Sequence, residues 1–246
     1  MIGVSAFPLI PQKAEPSDKS ELLNQLLFGE EYTVIEETEK WLKIKTIRDE
    51  YVGWIDRKLH TPLQQGSLIN PVEIVNSHLH TVVNQTLGHL MHIPMGSIFP
   101  AEPIFSWGQW QFEIMNHSPS SASWETVAQS FLGSPYLWGG KTHFGIDCSG
   151  FSQVVLRTQN VWIPRDAWQQ EQFFENNISF SDHKKGDLAF FSNEQGRVTH
   201  VGIIREPGKI IHCSGQCRID ELTENGIFNQ ANKTHHLHSI KRWLDT

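Results

Sequence analysis

Cys148, His200 and His212 have the residue types that nucleophilic acyl transfer requires. A thiolate is an effective nucleophile, and an imidazole is the side chain best poised to move a proton near neutral pH. Cys148 opens an amphipathic stretch in which Phe151, Val154, Val155 and Thr158 recur at helical spacing. Asp147 is a good N-cap, and Gly145 supplies a turn before it. Cys148 therefore takes the first helical position. There the helix dipole and unpaired backbone N–H groups favour the thiolate, so a lowered thiol pKa is expected. A lone cysteine is more often a small buried core residue. The two histidines shift the balance toward chemistry.

Those histidines need a scaffold that brings them together. Residues 198–204 and 209–214 are two β-branched runs, read as strands, and Glu206-Pro207-Gly208 between them is turn chemistry. Strand parity makes a sharp demand. A plain two-residue loop at Pro207-Gly208 would set His212 against Ile203 and send the histidines to opposite faces. An odd-length loop, or an equivalent bulge, sets His212 against Gly202 and puts both rings on one face as diagonal neighbours. Gly208 is available for the left-handed position of such a loop, and that arrangement is expected. Upstream, Ser123 caps a helix running to Phe131. Downstream, a polar helix carries Gln169, Gln170 and Glu171, and residues 188–191 form a strand.

Composition bounds the rest. With 246 residues, 39% hydrophobic and 19% charged, the chain is an ordinary globular protein with room for one large domain or two to three small ones. A formal net charge of −7 argues against nucleic acid as a partner and suits a small peptide better than an anionic polymer. No run of about twenty apolar residues spans a membrane. Residues 1–8 lack a basic region and a long apolar core, so a cytoplasmic location is expected, or a periplasmic or secreted one if a leader has been removed. A monomer without cofactor is expected. Histidines at 78, 80, 89, 92, 235, 236 and 238 lack the paired spacing of a structural zinc site, so no metal is expected. Cys213 and Cys217 are read as reduced thiols.

Residues 1–60 form a small all-β unit. Residues 32–35, 41–45 and 51–55 are three short alternating runs, as in a small barrel. Pro8 and Pro11 are read as strand breakers, and residues 20–27 show no clean strand period. Residues 61–122 form a second, smaller β domain or a structured connector. Pro62, Gly66 and Pro71 open it, residues 78–83 and 110–114 are candidate strands, and residues 90–100 read as strand, turn, strand. Turn-rich residues 118–123 close it, and residues 123–246 form an α+β domain.

The segment Tyr136-Leu137-Trp138-Gly139-Gly140, Asp147-Cys148-Ser149-Gly150-Phe151, the Gly186-Asp187-Leu188 strand, His200-Val201-Gly202 and Ile210-Ile211-His212 occur in that order. Together they resemble the NlpC/p60 family of cell-wall cysteine peptidases from about Trp124 onward. Residues 1–60 resemble bacterial SH3-like domains through Leu26-Leu27-Phe28-Gly29-Glu30, Trp41-Leu42-Lys43-Ile44 and Gly53-Trp54-Ile55. The resemblance implies a papain-like α+β catalytic domain behind one or two small SH3-like barrels. It also implies Cys148 as nucleophile, His200 as general base and His212 as the polar third residue. Tyr136 would place a hydroxyl in the cleft. Asp147 would bind the free amine of an N-terminal L-Ala in addition to capping the helix, with Ser149 adding a hydrogen bond. Arg165 and Asp166 match a family Arg-Asp-Ser segment in which Ala167 replaces the serine. Glu21 and Tyr51 match SH3-domain positions that face the cleft in related peptidases.

The implied activity is hydrolysis of murein peptides at the γ-D-Glu–diamino acid bond, of the kind that recycles released peptides. A barrel walling off one end of the cleft would restrict it to short substrates with a free N-terminus. An amidase or acyltransferase on the same machinery, and a non-catalytic wall-binding module, are the rival readings.

Overall fold

The computed structural model describes residues 1–63, 72–75, 79–115 and 122–244. Gly66, Pro71, His78 and the turn residues 118–121 lie outside them. The chain divides into two compact units. One is Met1–Ala122 with Arg157–Trp162, and the other is Ser123–Leu156 with Ile163–Thr246.

The first unit is all-β among its described residues up to Ala122, apart from a single 3-10 turn at Arg57–Leu59. The strands Glu31–Glu37, Trp41–Thr46 and Val52–Asp56 form the antiparallel meander that the alternating runs predict. Two expectations fail here. Leu22–Leu27 is a strand, and its last four residues are all buried, so it has no exposed face to show alternation. Leu9–Lys13 runs straight through Pro11. It pairs with Leu22–Leu27 along its length but with its other neighbour at Lys13 only, and a proline is tolerated beside an unpaired flank. Leu79–Asn84, His89–Pro94, Ile104–Trp107 and Trp110–Ile114 make a second sheet, and Ile98–Pro100 pairs with Val72–Ile74. A single core joins Val4, Ala6 and Phe28 to Val82, Ile93, Trp107 and Phe112.

Among the described residues there are three α-helices, α1 (Trp124–Ser130), α2 (Cys148–Thr158) and α3 (Ala167–Phe173), which lie in the second unit except for the last two residues of α2. The main sheet of this unit has six strands: β1 (Leu188–Ser192), β2 (Val198–Glu206), β3 (Lys209–Ser214), β4 (Gln216–Thr223), β5 (Gly226–Asn229) and β6 (Asn232–Lys241). Each pairs antiparallel with the next, and β6 returns to β1, which closes a barrel. Ser123 caps α1 by accepting from the Thr126 N–H. α2 buries Phe151, Val154, Val155 and Leu156 completely. Each such side chain contributes about 1.5–3 kcal/mol on leaving water, which anchors the helix that begins at Cys148.

The β2–β3 hairpin satisfies the parity demand through a bulge. Glu206 pairs with Lys209, the register then shifts at Arg205, and beyond it Ile203 opposes Ile211 and Gly202 opposes His212. Gly208 sits at φ +80°, where glycine is favoured. Gly202 is required for a different reason: a Cβ there would lie 2.8 Å from that of His212.

Candidate active site

Parity and the bulge put His200 and His212 on one face, and the rings meet. His200 Nε2 lies 2.8 Å from His212 Nδ1, with the ring planes at 87°. Both side chains are buried. His212 Nε2 lies 3.0 Å from Asp220 Oδ2 on β4. The Asp220 carboxylate also accepts from Arg218 Nε at 2.9 Å and from Asn229 Nδ2 at 2.8 Å. Burial alone would raise this carboxyl, but hydrogen bonds from His212, Asn229 and Arg218 outweigh it and hold the pKa below its ordinary value.

Cys148 begins α2 as expected and is buried, 5% exposed. The backbone N–H groups of Val201, the residue after His200, and of Ser149 both act to lower the pKa of this thiol. The nucleophile candidate thus lies against the strand that carries the base candidate. The expected lowering of the thiol pKa does not occur. Burial, with the Asp147 charge beside it, pushes the thiol up to about 12 and outweighs the two backbone donors and Arg165. Burial also pushes His200 well below the ordinary imidazole range, helped by His235, His212 and Arg218. Burial thus favours the neutral form of both the thiol and the imidazole.

Asp147 and Ser149 are brought to Cys148 but are already occupied. Arg165 grips the Asp147 carboxylate with both guanidinium nitrogens, Nη1 to Oδ1 at 3.0 Å and Nη2 to Oδ2 at 2.7 Å. The Gly139 N–H donates to Oδ2 at 2.8 Å and the Gly150 N–H to Oδ1 at 2.6 Å. Ser149 Oγ donates to Oδ1 and accepts from Arg165 Nη1. Five hydrogen bonds therefore converge on the Asp147 carboxylate, which fixes its position beside Cys148. The cap role is seen directly in the Gly150 N–H bond to Oδ1. Arg165, 1% exposed, is the buried partner of Asp147 and has no surface for substrate.

Tyr136 is half-buried, and burial together with Cys148 and Asp147 raises its phenol pKa. Asp166 is the N-cap of α3, with its own N–H donating to Gln169 Oε1 at 3.1 Å. Glu21 is exposed and Tyr51 is half-buried, both in the first unit. Cys213 and Cys217 are buried free thiols, directly opposed across β3 and β4.

Three further residues were not legible as site residues in the sequence: Asp220, Arg218 and His235. Residue 220 becomes findable once β4 is recognised, because Arg218 opposes His212 and Asp220 lies two residues on, diagonal to His212 on the same face. His235 on β6 stacks on His200 at 4.1 Å between centroids and 25° between planes. Burial, with His212 and Arg218 nearby, lowers its pKa to about 4. His200, His212 and His235 bring ring nitrogens within 4.8 Å of one another, the spacing of a metal cluster. Two of these rings, His200 and His212, are already hydrogen-bonded to each other through ring nitrogens.

Residues 133–236 match the model of the NlpC/P60 family, and residues 14–58 match the bacterial dipeptidyl-peptidase Sh3 domain. A gamma-D-glutamyl-L-lysine dipeptidyl-peptidase of Bacillus subtilis (strain 168) is 30% identical over 76% of this chain and 71% of its own. The chain belongs to the NlpC/P60 family. A second relative of the same description, from Bacillus cereus, is 28% identical over 82% of this chain and 70% of its own. Among solved structures, an NlpC/P60 family protein from Bacillus cereus superposes over 99% of this chain and all of that one, with a TM-score of 0.82 at 20% identity, which extends the likeness of fold across both units. As an NlpC/P60 protein the chain is a member of a cysteine peptidase family with an SH3-like all-β region before the peptidase domain. No helix among the described residues is long and apolar enough to cross a membrane.

Proposed function

We propose that this protein is a cysteine peptidase that cleaves murein peptides at the bond between γ-D-Glu and a diamino acid, in substrates with a free N-terminal L-Ala. The observation that supports it best is the His200–His212 pair, hydrogen-bonded at 2.8 Å across adjacent strands, with Val201, the residue after His200, among the groups that favour the Cys148 thiolate. The likeness to two Bacillus gamma-D-glutamyl-L-lysine dipeptidyl-peptidases supports this bond type.

Cys148 acts as nucleophile and His200 as base. Because burial favours the neutral form of both groups, the thiol proton passes to His200 as sulfur attacks the γ-carbonyl carbon. The resulting oxyanion accepts from the backbone N–H of Cys148 at the helix start. The C–N bond breaks as imidazolium protonates the leaving amine, and a thioester remains. Water, deprotonated by His200, then attacks the thioester, releases the γ-carboxyl product and restores the thiol. His212 orients His200. Asp147, beside the nucleophile, supplies the negative charge for the substrate amine, and Tyr136 supplies a hydroxyl near the sulfur.

The test is incubation with L-Ala-γ-D-Glu-diaminopimelate and mass identification of the products. The expected products are L-Ala-D-Glu and free diaminopimelate, and Cys148→Ala abolishes their formation while keeping the fold. An intact peptide, a transfer product, or full activity in that variant would reject the reading.

A further inference from the structure

We propose that Asp220 is a positioning residue that sets the protonation pattern of both histidines through His212, so that His200 presents a bare Nδ1 as the base. The inference rests on the roles proposed above for Cys148, His200 and His212.

Asp220 is 6% exposed, and its carboxylate is held by three donors, His212 Nε2, Arg218 Nε and Asn229 Nδ2. An ionised carboxylate only accepts, so His212 Nε2 must carry a hydrogen. His212 is neutral at rest, because burial lowers its pKa and Asp220 offsets that only in part. A neutral imidazole with hydrogen on Nε2 has a bare Nδ1, which accepts. The nitrogen 2.8 Å from it, His200 Nε2, must then donate. That leaves His200 Nδ1 without hydrogen, ready to take the thiol proton. Each hydrogen in the chain is thus fixed by the one before it, starting from Asp220. When His200 becomes imidazolium, the carboxylate charge stabilises it from one ring away. His212 alone, as an uncharged third residue, has no such charge to offer.

The experiment reads the ring protons and the kinetics separately. In the ¹⁵N-labelled full chain at pH 7, two-bond ¹H–¹⁵N correlation is expected to show His212 protonated at Nε2 and bare at Nδ1. A wild-type His212 with its proton on Nδ1, or on both nitrogens, overturns the proposal without recourse to any variant. In D220N the amide can donate or accept, so the fixed tautomer is expected to be lost. Turnover should fall by about 10²–10⁴-fold with KM little changed, the scale of the corresponding Asp-to-Asn loss in a serine triad. In an H212N background D220N should cost nothing further, because Asp220 acts through that ring. Wild-type turnover in D220N, or an equal added loss in the H212N background, overturns the proposal. A wild-type protein that leaves the peptide intact rejects the peptidase reading instead, and the spectrum still decides what Asp220 does.

Discussion

His200 is held by three different forces at once. His212 fixes one ring nitrogen, β2 fixes the backbone, and the ring of His235 covers one face at 4.1 Å. Aromatic contacts of this kind are worth about 0.5–1.5 kcal/mol beyond burial, or roughly two- to tenfold in rate if spent on orientation. His235→Phe keeps a flat neutral ring and is expected to keep turnover within about twofold. His235→Ala frees the imidazole and should lower turnover by up to about tenfold, with KM nearly unchanged. Steady-state kinetics on the tripeptide measure both, and an alanine variant as fast as wild type would show that the stack does not orient the base. The thiol offers a second check. Burial holds Cys148 up to about 12, so its alkylation rate by iodoacetamide should keep climbing through pH 9. A plateau near neutrality would mean that a thiolate is already present. The helix position of Cys148 was legible from Asp147 and the apolar spacing, but its pKa was not, because desolvation depends on what packs over the sulfur.

At the scale of elements, the start of α2 is clamped to the segment before α3 by the Asp147–Arg165 pair, with side chains 7% and 1% exposed. Removing one partner of a buried pair strands the other charge, at a cost of about 3–5 kcal/mol. Arg165→Ala is therefore expected to lower the denaturation midpoint sharply. Arg165→Lys should not restore it, because a lysine cannot reproduce the two-pronged grip. Chemical denaturation of the three proteins measures this, and a midpoint unchanged in Arg165→Ala would return the pair to a minor role. The hairpin is the element most legible in advance, since alternation of side chains alone required a bulge or odd loop to unite His200 with His212. The last three strands were not legible. β6 reads Asn232–Lys241 with most of its first eight positions exposed, so it lacks the apolar alternation that marks a strand. It is ordered instead by pairing with β1 and β5. Asp220 and His235 were missed because both sit on those polar strands.

At the scale of the whole molecule, the site burdens stability with groups that are buried neutral, and the pH dependence follows in sign. His200, His212 and His235 all have pKa values below the ordinary 6.5, His235 at about 4, chiefly through burial. The groups around them are Arg218, which opposes protonation, and Asp220, which favours it. As pH falls below 6.5 the unfolded chain binds protons that the native chain refuses, so stability declines from there toward pH 4. Cys148 is shifted the opposite way, to about 12 from 9. Above pH 9 the unfolded thiol releases a proton that the native one keeps, so stability declines again as pH rises toward 12. Cys213, also raised by burial, adds to that limb. These groups together predict a plateau of unfolding free energy between about pH 6.5 and 9, with a loss on either side. Urea denaturation at half-unit pH steps is the measurement. His235→Phe removes one buried base without changing the barrel, so it should flatten the acid limb and leave the alkaline limb as it was. An acid limb equally steep in that variant would mean that His235 is protonated in the folded protein near neutral pH, contrary to its burial.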